Sequence, residues 1–177
     1  MATSRLLVCL SVLVAAGIAA ASSVAAEASA DGWIGRIVPP YPDGVIQTSG
    51  TCIGDPQAQH PTPLCEHAFA VLDDPQSKLR SILALKQAPH FGQQPLWRIV
   101  DALEPDEMDD RSVDVAAGTC QVQATDDSAV VALVRPTDTQ WLAPVLRAWR
   151  FDTGAGKLVA IPVTGVRCRN EGFGYDG

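Results

Sequence analysis

The segment AWRFDTGAGKLVAI, residues 148–161, carries the clearest local signal in the chain. Trp149 and Phe151 alternate with Arg150 and Asp152, the turn formers Thr153, Gly154, Ala155 and Gly156 follow, and Leu158, Val159 and Ile161 then resume the apolar pattern. Successive side chains of a strand point to opposite faces, so alternation, turn residues and renewed alternation predict a β-hairpin.

Strand signals continue on both sides of this hairpin. Ala129 to Val134 is an unbroken apolar run, short enough for a strand buried on both faces, and Asp126-Asp127 marks the turn before it. Val113 with Val115 and Cys120 with Val122 suggest two further strands, and Val163 to Cys168 a final one before a glycine-rich tail. Trp97, Ile99 and Leu103 alternate with Arg98, Val100 and Ala102, which also predicts a strand. The stretch from Trp141 to Leu146 supports only a short turn, because Pro144 lacks the donor that a helix interior needs.

One segment reads as helical. Asp74-Pro75 supplies a capping carboxylate and a proline suited to the first helical position, Leu79, Ile82, Leu83 and Lys86 follow at helical spacing, and Pro89 ends the run. Before it, residues 31–72 hold Pro39-Pro40-Tyr41-Pro42, Asp43-Gly44, Ser49-Gly50 and Gly54-Asp55-Pro56, which predicts irregular chain with at most short strands. The fold class expected is therefore α+β: a mainly antiparallel sheet in the C-terminal half, one main helix, and two disulfides as staples.

The N-terminus explains the staples. Arg5 precedes an apolar run from Leu6 to Ala21 and then small residues, the order of a cleavable signal peptide. Cleavage is expected before Glu27 or before Asp31. The second leaves residues 31–177 as a single exported domain with 1–30 as leader. Cys9 lies near the start of the apolar run, which speaks against a lipid anchor, and no later run is long enough to span a bilayer. The remaining Cys52, Cys65, Cys120 and Cys168 are then an even set in an oxidising compartment, the periplasm or the extracellular medium, and should form two disulfides. Three connectivities exist; Cys52 with Cys65 and Cys120 with Cys168 close the cheaper loops.

The net charge is −7, and the leader's one arginine and one glutamate leave it unchanged. Such a surface repels phosphate backbones and anionic lipid, so neither nucleic acid nor, after cleavage, a membrane is an expected partner, while a basic protein is allowed.

Candidate chemistry is sparse. Cys52, His60, Cys65 and His67 have a stoichiometry that zinc accepts, but the spacing fits no zinc-finger pattern and an exported chain meets an oxidising pathway first, which favours the disulfide. His60, His67 and His90 are the available imidazoles, and none lies in a nucleophile, zinc-protease or phosphate-loop motif. The acidic residues Asp101, Glu104, Asp106, Glu107, Asp109, Asp110 and Asp114 lack the spaced order that wraps calcium and read as a solvated loop. No cofactor is expected. Trp97 and Trp149 belong to strand faces, whereas Trp33, Tyr41, Trp141 and Tyr175 are the better candidates for partner contact. These features point to an exported bacterial protein acting as a non-enzymatic binding, inhibitor or immunity-like module. The alternative is a small exported hydrolase whose histidine and carboxylates meet only in the fold.

Overall fold

The computed structural model describes residues 32–54, 65–89 and 94–174. The predicted leader, His60, His90 and Tyr175 lie outside the described residues.

The described chain is almost entirely antiparallel β-structure, and its only helical element is a four-residue 3-10 turn at Asp106–Asp109. The strands are β1 (Ile37–Val38), β2 (Ile46–Cys52), β3 (His67–Asp73), β4 (Arg80–Ala88), β5 (Leu96–Leu103), β6 (Asp114–Ala117) and β7 (Cys120–Val122). They continue with β8 (Thr125–Asp126), β9 (Val130–Val134), β10 (Trp141–Leu142), β11 (Val145–Asp152), β12 (Lys157–Ile161) and β13 (Val166–Arg169). They form a first sheet in the order β1-β5-β4-β3-β2, a second in the order β12-β11-β9-β6 and a third in the order β10-β13-β7-β8.

Side-chain alternation stacks these sheets. Phe69 and Val71 of β3 and Ile82 and Ala84 of β4 pack against Val131 and Leu133 of β9 and Trp149 and Phe151 of β11, making the core between the first and second sheets. The intervening residues of β9, Val130, Ala132 and Val134, join Ala148 on the other face, where they meet Cys120, Val166 and Cys168 of the third sheet. The second sheet is thus the middle layer, and all five residues of β9 are buried. The outer face of the first sheet, with Ala68, Ala70, Leu83 and Ile99, is covered by Val38 and by Trp33, Tyr41 and Val45 of the N-terminal segment.

The hairpin of residues 148–161 forms as its alternation predicts, with Ala148 opposite Ile161 and Asp152 opposite Lys157. The predicted helix does not form, so the α+β class is corrected to an all-β one. Asp74-Pro75 does cap a turn: the Asp74 carboxylate accepts from the Gln76 N–H at 2.9 Å and the Ser77 hydroxyl at 2.6 Å, and the Lys78 N–H donates to the Asp74 carbonyl at 2.7 Å. Lys78 then takes a left-handed φ of 64°, the chain reverses, and the Asp74 N–H closes the hairpin on the Leu79 carbonyl. Residues 81–85 are buried on both faces, while Leu79 and Lys86 of the supposed helical stripe are exposed. A short run that is apolar on both sides satisfies helical and strand templates alike, and here pairing with β3 and β5 decides.

Two further expectations change. Residues 31–72 contain β2 and most of β3, each seven residues long, rather than irregular chain. In β5 a bulge shifts the register between its pairings with Ala84 and Leu85. Trp97 and Ile99 therefore face outward, whereas Leu103 faces the second sheet, although all three share one parity in sequence.

Cys52 is bonded to Cys65, and Cys120 to Cys168, the pairing favoured on loop length. Both bonds fit an oxidising, exported environment. No helix among the described residues is long and apolar enough to cross a membrane. The links span 13 and 48 residues. Replacing Cys52 and Cys65 by alanine should cost about 3 kcal/mol in the chain-entropy treatment, and replacing the other pair about 4 kcal/mol, read as ΔG from urea unfolding.

Candidate functional site

The structure scatters the residues that sequence patterns single out. Trp33 lies on the outer face of the first sheet, donates its indole N–H to Glu104 Oε1 at 3.2 Å and carries the Arg36 guanidinium over its ring. It packs, partly buried, against that face. Tyr41 packs beside it, and its hydroxyl donates to Gln47 Oε1 at 2.9 Å. Burial raises the phenol above its ordinary value. Trp141 belongs to the third sheet, half-buried, with the Arg167 guanidinium 4.1 Å and the Arg169 guanidinium 5.8 Å from its ring centre.

The acidic residues go to separate partners. Asp101 holds Lys157 Nζ at 3.0 Å and the Leu158 N–H at 2.7 Å, Glu104 accepts from Ser81, and Asp110 accepts from Ser112 and from Arg135. Among the described residues no three metal-ligating side chains converge. With both sulfurs consumed by the disulfide, Cys52 and Cys65 have no thiolates to offer zinc.

His67, at the start of β3, is the one described histidine. Its ring meets Phe151 edge-on at 5.6 Å, and its Nε2 is buried without a hydrogen-bond partner. Loss of hydration lowers its pKa, and Lys86 lowers it further. Among the described residues no acid hydrogen-bonds to this ring, although the charge of neighbouring Glu66 raises its pKa in part.

What the fold does assemble lies around β2. This strand is an edge: it pairs with β3 and has no strand on its other side among the described residues. The Ile53 N–H donates to His67 O at 2.9 Å, and antiparallel pairing alternates, so Thr51 turns its backbone groups toward β3 while Gly50 and Cys52 turn theirs outward. Three concavities meet along this edge. One, of about 420 Å³, lies between Ser49–Thr51 of β2 and Asp114–Ala117 of β6, with Phe69 and Val71 as floor and Leu142 and Arg169 of the third sheet at one end. A second, of about 500 Å³, continues it past Arg80, Arg111 and Pro136. The third, of about 330 Å³, lies on the opposite face of β2 and is lined by Pro39, Tyr41, Gln47, Leu85 and Trp97.

β2 is held here by tethers rather than by burial. The disulfide anchors one end, and Gly118 at the β6–β7 turn lets Thr51 approach so closely that a Cβ there would lie 2.9 Å from the Thr51 side chain. Of the cleft's charges, Arg111 pairs with Asp73 at 2.6 Å, Arg80 with Asp114 at 4.0 Å and Arg169 with Asp126 at 3.8 Å, and Glu171 lines it as well. The cleft thus offers the outward backbone of β2 beside both polar and apolar side chains. β6, which pairs only with β9 among the described residues, presents a second edge across it.

Of the predicted contact residues, Tyr41 lines the concavity of about 330 Å³. Trp141 lines none of the three, but its ring lies 5.8 Å from the guanidinium of Arg169, which lines the one of about 420 Å³. The edge strand itself was missed, because a strand exposed on both faces carries no hydrophobic alternation; the usable signal was the Cys52–Cys65 link, which brings that segment beside His67. No family of known proteins, curated protein or solved structure matches the chain.

The His67 environment has a measurable consequence. Its folded pKa lies below the unfolded one, so the unfolded chain binds the proton more readily and stability falls as pH drops through the unfolded value of about 6.5. Thermal melts in phosphate-free buffer should lose more between about pH 7.5 and about pH 5 for the wild type than for His67→Phe. Parallel loss in the two proteins would assign the acid sensitivity elsewhere.

Proposed function

We propose that this protein is a non-enzymatic binding module, inhibitor or immunity-like in character, which works in the periplasm or the medium and captures a polypeptide along the open edge of β2. The observation that carries this reading is the convergence of three concavities on one unpaired strand edge. An extended peptide laid on such an edge gains main-chain hydrogen bonds for affinity, and its alternate side chains enter opposite faces for specificity. Here one face offers Tyr41 and Trp97, and the other Val71, Val115 and Leu142. The net charge of −7 favours a basic partner and speeds the encounter at low salt.

The test uses an outward backbone donor. Gly50→Pro removes an N–H that β3 does not use, and a Cβ there would meet first the flexible end of Gln47 and then, at the ordinary contact distance of 3.4 Å, the Phe69 carbonyl. Periplasmic extract passed at low salt over the immobilised wild type should leave a retained polypeptide, and Gly50→Pro should bind it at least about tenfold more weakly with a similar melting temperature. Retention of nothing at low or moderate salt, or equal retention by both proteins, would sink the proposal.

A further inference from the structure

A fourth concavity, on the side of the sandwich where β5 meets β12, has a different chemistry. It encloses about 400 Å³ and is lined by His67, Lys86, Arg98 and Lys157, with Phe151 and the glycine-containing turn of residues 153–156. His67, Lys86 and Arg98 occupy adjacent strands directly opposite one another: His67 of β3 faces Lys86 of β4, which faces Arg98 of β5. Directly opposed side chains on neighbouring strands lie within contact range, and like charges there repel.

That repulsion is not relieved within the described protein. Arg111, Arg135, Arg147 and Arg150 each pair with a carboxylate. Lys86 has no carboxylate partner among the described residues, and the Arg98 guanidinium donates to the neutral Gly35 carbonyl at 3.2 Å, which leaves most of its donors unused. The acids nearby are committed or peripheral. Asp101 balances Lys157, Asp152 accepts from the Ala155 N–H inside its own turn, and Glu66 is exposed beside His67. Two uncompensated cations thus share one cavity on a molecule whose net charge is −7.

We propose that this cavity binds a tetrahedral dianionic oxyanion, a phosphate- or sulfate-type group, between Lys86 and Arg98. The guanidinium fork supplies bidentate donors and the ammonium a second positive charge, while Lys157 stands at the rim. Phe151 and the turn of residues 153–156 form the wall behind these two cations. The ligand stands either free or as an ester on a larger molecule. This site is separate from the β2 edge and does not depend on the reading proposed for it.

The probes are inorganic phosphate, inorganic sulfate and glycerol phosphate, titrated at low ionic strength with melting temperature and heat of binding as readouts. Saturable binding at millimolar concentration or tighter is expected, with about tenfold loss in Lys86→Gln and in Arg98→Gln and none in the turn variant Lys78→Gln. In probe-free buffer Lys86→Gln should melt at or above the wild-type temperature, since it removes a repulsion, and this holds even if Arg98→Gln folds poorly. Tighter binding of the ester than of the free ions would assign the site to a group carried on a larger molecule; equal binding would assign it to the free ion. No saturable response of the wild type below about 10 mM, or a response that Lys86→Gln retains in full, would overturn the proposal.

Discussion

β9 has no polar face. Val130, Val131, Ala132, Leu133 and Val134 are all removed from water, so the second sheet exists only because the first covers one side and the third the other. Every other feature of the architecture follows from that double burial. Trp149 and Phe151 enter the core toward the first sheet while Ala148 turns to the third, and the Cys120–Cys168 link joins two opposed strands of the sheet that closes the back. An all-apolar strand tolerates no gap in its cover, because unpaired backbone and bare apolar surface would both be exposed.

A sandwich built this way must stop somewhere, and its stopping edges are where chemistry becomes available. β2 gains little from burial, yet its ladder to β3, its disulfide and the close approach of Thr51 to Gly118 keep it in place. Its polar side chains and the register shift beside Ser49 blunt the indiscriminate pairing that open edges invite. The result is an edge that retains outward backbone donors beside shaped concavities. Elsewhere on the same sheet, the cross-strand row of His67, Lys86 and Arg98 is a local concentration of positive character within an acidic surface. The two sites rest on different physics, main-chain pairing in one and charge in the other.

Much of the C-terminal half was legible in the sequence. The residue 148–161 hairpin and the strands around Cys120 and Cys168 carry alternation or turn residues, and β9 is an apolar run short enough, after its Asp126-Asp127 turn, to read as a strand. The first half was not legible, for three physical reasons. β4 is buried on both faces, so its apolar run lacks the period that separates strand from helix, and the Asp74 cap served a tight turn instead. β2 is exposed on both faces and shows no pattern at all. The bulge in β5 reverses which parity faces the core, so Leu103 and Ile99 part company. Of the proposed site, Tyr41 stood out as an aromatic in a proline-rich segment, whereas the value of Gly50 and Ser49 lies in their position on an edge.

The chain's own composition and spacing determined its acidic charge, the cysteine inventory and the strands whose side chains alternate, because those properties are local or additive. Tertiary structure decided the rest. Whether residues 80–88 became helix or strand depended on partners on both sides. Whether β2 became an edge depended on where the sheet ended, and whether Lys86 met Arg98 depended on strand register. Each is set by pairing between segments distant in sequence, which no local pattern encodes.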